Sequence, residues 1–247
     1  MDAVKQHPGH GAWWTFGVRG YRLTREGSAG LAALGIEQRA GTFVSGKRLR
    51  AVRDDWIASK RPIADNLAAR YKAGDITITD WIMETRAELK SAHIAQYVLA
   101  RGGLGNMTQA DYGRIGAKLR EQYGFLNDFA AKIIDNPQWS EAYIAARSQM
   151  YFEASGTSFE IGNQVSRGVL VLPQHPGDGR TQCLSNCKCY WDIRVQGANW
   201  ECTWTLSPAE HCPDCLENAA KWAPLVVPRI EAATRASVRS LLEAMVA

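Results

Sequence analysis

The chain has 247 residues, of which 46% are hydrophobic and 22% are charged, and its formal net charge is +4. These values are typical of a folded globular protein and exclude wholesale disorder. No stretch approaches the roughly 18 uninterrupted apolar residues that a membrane helix needs, so we expect no membrane partner. The small net charge does not by itself indicate a nucleic-acid partner.

The first 45 residues are rich in glycine and show no long helical pattern. Because glycine destabilises helix interiors, we expect residues 1–45 to form an extended arm with one short helical or strand piece. The arm contains the adjacent pair Trp13 and Trp14. Two interpretations stay open, since these indoles either fix the arm on its own domain or serve as assembly anchors on a neighbouring subunit.

Apolar residues at helical spacing then predict a helical body over residues 46–170. Ser45 is the expected N-cap of its first helix and Gly74 the expected end. Pro62 lies inside that segment, and proline lacks the amide hydrogen that a helix interior requires. We therefore expect the helix to kink or split near Arg61.

Three further helices are expected in the body. The second begins after Thr77 or Thr79 and ends at Arg101, before a pair of glycines. Thr108 has the features of a capping residue, and the strongest amphipathic pattern in the chain follows it. Proline after Asn136 ends this third helix.

Ser140 is the expected cap of a fourth helix. Gly156 and Gly162 lie inside it, and each weakens a helix interior by roughly 1 kcal/mol relative to alanine. Either these glycines allow another helix to approach closely, or the helix is bent there.

Prolines and glycines at residues 173–179 separate the body from a cysteine-rich region, residues 171–225. Two strands are expected there, over 189–195 and 200–206, joined by a hairpin at 197–199. The expected fold class is mainly α, and α+β overall. It combines a helical body with a small C-terminal unit that has the form of a β-hairpin or zinc ribbon.

Two more helices are expected near the C-terminus. The segment Ser207-Pro208-Ala209-Glu210 combines a capping box with a proline at the first helical position. It predicts a short helix that contains Cys212 and Cys215. Pro228 is expected to begin a last helix, within residues 226–247.

All six cysteines lie between Cys183 and Cys215. Such a cluster indicates metal binding, since a disulfide framework normally spreads its cysteines across the chain. Structural zinc takes four Cys or His ligands, commonly from two short-spaced pairs. The predicted hairpin would bring residues 183–189 to residues 211–215. We therefore expect a structural zinc site with the ligands Cys183, Cys187, Cys212 and Cys215.

Seven side chains compete for the four ligand positions. Cys189 is an alternate for one member of the first pair, and His211 is either a ligand or a capping group beside the second. Cys202 alternates in phase with two tryptophans and is expected to point into packing. Two disulfides plus free thiols are the alternative to a metal, and a catalytic cysteine is a weaker one.

Basic residues concentrate in one part of the chain. Residues 17–72 hold twelve Lys or Arg against five Asp or Glu, whereas residues 173–222 hold four against six. A zinc module that grips phosphate should be basic, so the cysteine region is interpreted as a structural clip. The basic segment is either a solvated helix face or a contact for packaged DNA or an acidic partner. Its densest part consists of Lys47, Arg48, Arg50 and Arg53.

The sequence contains no P-loop, dinucleotide-binding fingerprint, nucleophile elbow or zinc-protease motif. Its acidic residues are not paired as a two-metal nuclease requires. We therefore expect a protein that is not an enzyme. A zinc- or thiol-dependent enzyme stays an alternative, as does a nucleic-acid-binding protein that uses the basic segment.

A series of short phrases occurs in order between about residues 75 and 225. They are Ala92–Tyr97, Arg101–Gly103, Asn106–Thr108, Gln122–Leu126, Arg147–Tyr151, Leu172–Gly179, Asn186–Trp191 and Glu210–Cys215. The last two are the most specific, because Asn-Cys-basic-Cys after a helical region is typical of one family. In these phrases the chain resembles the minor head proteins of tailed phages, the head-morphogenesis family.

The resemblance implies a structural, minor capsid protein that acts in virion assembly near the portal. It implies the portal and major capsid proteins as partners, an oligomeric state within the particle, and packaged DNA as a further candidate partner. The expected location is the virion head, with the host cytoplasm before assembly. The first 45 residues match no phrase of the family, so the resemblance does not extend to the arm.

Overall fold

The computed structural model describes residues 14–17, 20–23, 43–44, 46–168, 172–184, 187–208 and 210–229, together with Arg25, Ser28, Ala29 and Ala32. It confirms a mainly helical α+β fold with two small antiparallel sheets. Among these residues, no helix is both long enough and apolar enough to cross a bilayer.

The first sheet lies within the region expected to be an extended arm. Strand β1 (Trp14–Gly17) pairs with β2 (Gly20–Leu23), which pairs with β3 (Phe43–Val44), all antiparallel. Gly17 is opposite Gly20, so the turn between β1 and β2 has two residues, a tight connection typical of hairpins. The expectation of a single short element is therefore wrong for this part of the arm. Trp13 lies outside the described residues, and of Trp14 only the backbone is described.

Residues 46–168 form the helical body. Pro62 stands in the first turn of the second helix and splits the first predicted helix in two, as expected. A short 3-10 turn, Leu104–Asn106, connects the third and fourth helices. The helices are α1 (Gly46–Ala58), α2 (Arg61–Ala73), α3 (Ile78–Arg101), α4 (Gln109–Asp135), α5 (Glu141–Ala154) and α6 (Gly156–Arg167).

The predicted caps determine most helix ends. Thr77 and Thr108 each form a complete capping box with an aspartate three residues later. The hydroxyl of Ser140 accepts a hydrogen bond from the third amide of its helix. Gly74 and Gly102 end α2 and α3 in the left-handed conformation, with φ of 81° and 76°. The predicted cap Ser45 lies outside the described residues.

The fourth predicted helix is two helices, because the chain turns at Ser155 between α5 and α6. Gly156 is the first residue of α6, so it lies at a bend, which was one of the two alternatives for these glycines. Gly162 instead allows another helix to approach closely. A Cβ atom there would lie 2.9 Å from the Cβ of Ala100 and 3.1 Å from the carbonyl oxygen of Tyr97, so only glycine lets α6 approach α3 this closely.

Helix α3 lies at the centre of the body and packs against α4, α5 and α6. Its Trp81 and Leu89 are fully buried, and α4 and α5 contribute Leu126, Phe129 and Phe152 to the same core. The rings of Trp81 and Phe129 meet edge to face at a centroid distance of 6.0 Å, an arrangement that aromatic pairs favour. The buried residues of this core come from α2, α3, α4 and α5, and Trp56 of α1 and Ile161 of α6 pack against it.

A buried carboxylate fixes the connection between α3 and α4. Asp111 accepts hydrogen bonds from the hydroxyl of Tyr97 at 2.7 Å and from the backbone and side chain of Thr108, both at 2.9 Å. Arg101 lies 3.3 Å from the same carboxylate. Burial alone would raise the pKa of Asp111, but these hydrogen bonds and the arginine charge outweigh it and hold the pKa below its usual value.

A buried histidine connects α3 with α6. The Nδ1 atom of His93 lies 2.7 Å from the hydroxyl of Ser158, and the imidazole is fully buried. Burial lowers the pKa of His93 to about 3, and the nearby charge of Lys118 acts in the same direction. The imidazole is therefore neutral in the folded protein at neutral pH.

The C-terminal unit is built on a second sheet, in the order β4-β5-β6. The predicted hairpin is confirmed, with β4 (Tyr190–Gln196) and β5 (Asn199–Thr205) joined by a two-residue turn. Gly197 in this turn has φ of 57°, which glycine adopts without strain. Helix α7 (Pro213–Lys221) and β6 (Leu225–Pro228) complete the unit.

Two predicted helix starts in this unit are wrong. The short helix begins at Pro213 rather than at Pro208, with Cys212 as its N-cap. Both prolines suit a first helical position, and the chain before Pro213 is used instead to bring Cys212 to the other cysteines. Pro228 is the last residue of a strand that pairs with β5 at the edge of the sheet. Proline is tolerated there because its missing amide hydrogen removes no hydrogen bond to a further strand. Residues 230–247 of the predicted last helix lie outside the described residues.

Three tryptophans form the core of the C-terminal unit. The ring centroids of Trp191, Trp204 and Trp222 lie 5.2 to 5.7 Å apart, and all three side chains are buried. Two arginines join this unit to the body. Arg167 of α6 donates a hydrogen bond to the carbonyl oxygen of Ile193 at 2.7 Å. The guanidinium of Arg50 lies 3.6 Å from the centroid of the Tyr190 ring.

Replacing Gly162 with alanine should destabilise the fold by about 1–3 kcal/mol, because the new methyl group overlaps α3. Gly124→Ala is the matched control. No atom lies within 4 Å of the Cβ position at Gly124, so that change should stabilise α4 by about 0.5–1 kcal/mol. Urea denaturation of both variants measures the difference, and equal effects would contradict the close contact.

The stability of the protein should fall as the pH is lowered from 6.5 towards 3, because the unfolded chain then binds a proton that folded His93 does not. The slope from this one residue approaches about 1.4 kcal/mol per pH unit. His93→Asn retains a polar partner for Ser158 and does not titrate. Denaturation at pH 7.5 and pH 5.0 should therefore show a smaller pH effect in the variant, and an unchanged one would contradict the assignment.

Candidate metal centre

Five of the six cysteines meet at one end of the C-terminal unit. Cys183, Cys187 and Cys189 precede β4, and Cys212 and Cys215 lie at the start of α7. The sulfur of Cys215 lies 3.7 Å from that of Cys183 and 3.6 Å from that of Cys187, and the sulfurs of Cys183 and Cys212 are 3.6 Å apart. The structure thus brings three of the predicted ligands, Cys183, Cys212 and Cys215, within 4.8 Å of one another, and it places Cys187 in a second group with Cys189 and Cys215.

These distances suit a metal centre better than disulfides. A disulfide requires sulfurs about 2.05 Å apart, and all six cysteines are free. Four sulfurs that each lie about 2.3 Å from one tetrahedral zinc are about 3.8 Å from one another. The observed separations of 3.6 to 3.7 Å are close to this value.

The thiols are arranged as two overlapping triads. One consists of Cys183, Cys212 and Cys215, and the other of Cys187, Cys189 and Cys215, with the ligand atoms of each triad within 4.8 Å of one another. Cys215 belongs to both. The ring Nδ1 of His211 lies 4.0 Å from the sulfur of Cys189, so both predicted alternates stand at the second triad.

Hydrogen bonds within the cluster favour thiolate at some positions. The hydrogen bond between Cys187 and Cys189 lowers the pKa of Cys189 to about 5 and raises that of Cys187. At Cys212 burial acts to raise the pKa, but hydrogen bonds from the backbones of Cys215 and Cys183 outweigh it and lower the pKa. Thiolates are the form in which cysteine binds metals, so Cys189 and Cys212 are suited to a cation, whereas burial raises the pKa of Cys215.

Two backbone contacts hold the cysteine segments in place. The amide of Gln182 donates to the carboxylate of Asp214 at 2.8 Å, which ties the segment before β4 to α7. The amide of Trp204 donates to the carbonyl oxygen of Trp222 at 3.1 Å and ties the end of α7 to β5. The sequence analysis did not single out Asp214. The sequence feature that could have indicated its role is its position as an acidic residue in the first turn of a helix, where carboxylates are stabilised near backbone amides.

Cys202 lies apart from this cluster, as predicted. It is fully buried on β5 among the tryptophans of the unit. Burial raises the pKa of its thiol to about 11, so the thiol is protonated at neutral pH. Cys202 is therefore a packing residue and provides an internal control for the other five.

The structure places the residues of the predicted basic contact in different environments. These residues are Lys47, Arg48, Arg50 and Arg53. Lys47 and Arg48 are exposed on α1, while Arg50 is half-buried against Tyr190. Arg53 was expected on an exposed face, and this is wrong. Its side chain is buried and lies 2.6 Å from the carboxylate of Glu160, which is itself buried on α6. The helical periodicity could not show that a carboxylate on another helix would cover Arg53.

The chain matches no protein-family model, no curated protein and no solved structure. The cysteine geometry and the sequence phrases themselves are therefore the observations that bear on its function.

Purified under reducing conditions, the protein should bind Co²⁺ with the intense thiolate charge-transfer absorption of a tetrahedral sulfur site. Cys215→Ser should weaken this absorption most, because Cys215 belongs to both triads. Cys202→Ser is the matched control and should leave the absorption unchanged. A spectrum that loses intensity equally in both variants would contradict a localised centre.

Proposed function

We propose that the cysteine cluster is a structural zinc site. Cys183, Cys212 and Cys215 supply three ligands, and Cys187 is the nearest further thiol to Cys215. Cys189 and His211 are the alternates. Zinc with four protein ligands has no open position for a substrate, so its contribution is a covalent-like link between two segments of chain.

The size of the C-terminal unit supports a structural role. Its core consists of eight buried residues, and two of these are themselves cysteines of the cluster. A core this small does not supply enough hydrophobic burial to fold a unit alone, and metals commonly supply the remainder. A bound metal would stabilise the part of the unit that lies beyond the tryptophan core.

We propose further that the protein is a structural, minor capsid component of a tailed-phage head. It would act in virion assembly near the portal and contact portal and major capsid proteins. The observation that carries this proposal is a coincidence of sequence and geometry. The two most specific phrases, Asn186–Trp191 and Glu210–Cys215, are the segments that meet in the cysteine cluster.

The two alternative functions find less support in the structure. Nucleic-acid binding by the basic segment loses Arg53, which pairs with Glu160 inside the body. An enzyme would need an exchangeable metal position with a base beside it. The imidazole of His211 lies 4.0 Å from the sulfur of Cys189, and His211 is itself a ligand candidate. We therefore favour the assembly function.

The isolated protein should contain about one zinc per chain, as a single tetrahedral site requires. Cys212→Ser should release the zinc and loosen residues 172–229 without melting α4. Elemental analysis and hydrogen exchange measure the two effects. Two zinc ions per chain would show that both triads are occupied, and oxidised cysteine pairs without metal would contradict the zinc proposal.

Loss of the metal site should exclude the protein from heads. In a phage or prophage that encodes this chain, Cys215→Ser should reduce its copy number in purified particles by at least about tenfold, while Cys202→Ser should not. Quantitative mass spectrometry of the particles measures both. Normal particles that never contain the wild-type protein would overturn the assembly function.

A further inference from the structure

A cavity of about 480 Å³ lies where α4, α5 and the loop at residues 177–180 meet. This volume is within the range of pockets that hold a ligand or several side chains. Lys118 and Gln122 form its floor, and Tyr151 lines one wall. The cavity is separate from the metal cluster, although Leu184 on its rim directly follows Cys183.

Two polar side chains, Gln122 and Lys118, line the deeper part of the cavity. Gln122 is 5% exposed, and its amide forms no hydrogen bond with any residue that the structure describes. The side chain of Lys118 is 11% exposed and its ammonium lies 2.9 Å from Glu121. The side-chain amide of Gln122 therefore keeps its hydrogen-bonding capacity for a group that enters the cavity.

The cavity also has an excess of positive charge. Glu121 pairs with Lys118, and the carboxylate of Asp178 accepts hydrogen bonds from two backbone amides and lies 3.6 Å from Arg180. Arg147 has no carboxylate partner among the described residues. Its guanidinium lies 3.2 Å from the sulfur of Met150, interacts with the hydroxyl of Tyr151 and lies 6.0 Å from the centroid of the Phe129 ring. An incoming carboxylate would therefore meet an uncompensated cation.

The rim of the cavity is apolar and exposed. Phe125 is 52% exposed on one side and Leu184 is 47% exposed on the other. Leu184 has φ of 49°, a conformation that residues other than glycine seldom adopt. Exposed apolar side chains on both sides of a charged pocket are typical of surfaces that bind another protein.

We propose that this cavity binds a short segment of a partner protein in which an acidic side chain lies between large apolar ones. The carboxylate enters towards Gln122 and Arg147, and the apolar side chains cover Phe125 and Leu184. A small free anion satisfies the polar floor but leaves the apolar rim exposed to water, which is why we assign a peptide. The inference deepens the proposed assembly function by giving one partner contact a defined chemistry.

The probes are acetylated peptides of sequence Gly-X-Glu-X-Ser, in which each X is Leu, Phe or Val, and their Gln isosteres. Titrations of the zinc-loaded protein, followed by NMR, should shift the side-chain amide of Gln122 and the ring of Phe125. The best Glu peptide should bind at least about tenfold more tightly than its Gln isostere, because the Gln isostere lacks the charge-assisted hydrogen bond that the carboxylate makes.

Variants distinguish the cavity from general attraction to a basic protein. Arg147→Gln and Phe125→Ser alter exposed side chains, and each should weaken peptide binding at least about fivefold. Arg120→Gln removes an exposed charge of α4 that does not line the cavity, and should leave binding unchanged. Equal weakening in all three variants, or no saturable binding by any Glu peptide, would overturn the inference.

A small-anion arm tests the choice of ligand. Binding of 4-phenylbutyrate as tight as that of the best peptide would overturn the peptide assignment and leave a pocket for small organic acids. Head incorporation separates this inference from the function on which it rests. If Arg147→Gln abolishes peptide binding but the variant enters heads normally, the cavity is not a contact used in assembly, and the inference fails while the assembly function stands.

Discussion

The C-terminal unit depends on the convergence of five thiols around Cys215. The segments that meet there are up to 32 residues apart in sequence, and between them lies the hairpin β4–β5. Closing a loop of that length costs conformational entropy, and the small tryptophan core recovers only part of it. Every other feature of the unit follows from this closure. The start of α7 at Pro213, the bridge from Asp214 to Gln182 and the position of Leu184 all lie within three residues of a clustered cysteine.

The body and the C-terminal unit are stabilised by different means. The body relies on a large core along α3 and on buried polar contacts such as those of Asp111 with its hydroxyl and amide donors. The C-terminal unit has few buried residues and a cluster of thiols. Its junction with the body includes arginine contacts to a carbonyl oxygen and to an aromatic ring, and an ion pair of Lys188 with Glu153 at 4.0 Å. Agents that act on thiols or metals therefore address one unit and leave the core of the other unchanged.

Local signals accounted for much of this architecture. Helix caps such as Thr77, Thr108 and Gly74 were predictable because the hydrogen bonds that end a helix involve residues only a few positions away. The hairpin and the grouping of the cysteines were predictable from alternation and spacing. The errors concern contacts between distant segments. Pairing of β6 with β5 overrode the helical signal at Pro228, and Glu160 on α6 removed Arg53 from the surface. The division of the cysteines into two triads likewise depends on three-dimensional placement that spacing does not encode.

The absence of a side chain at Gly162 has a mechanical consequence. Because α3 and α6 touch through backbone at this crossing, neither helix can slide along the other without a collision with Ala100 or Tyr97. Arg167, five residues further along α6, holds the backbone of β4. A pulling force on the C-terminal unit would therefore be transmitted through Arg167 to α6. From α6 it would reach α3 at a crossing where the two helices cannot slide past each other. The weakest point under load would lie at the arginine contacts of the junction, and the helical body would keep its register.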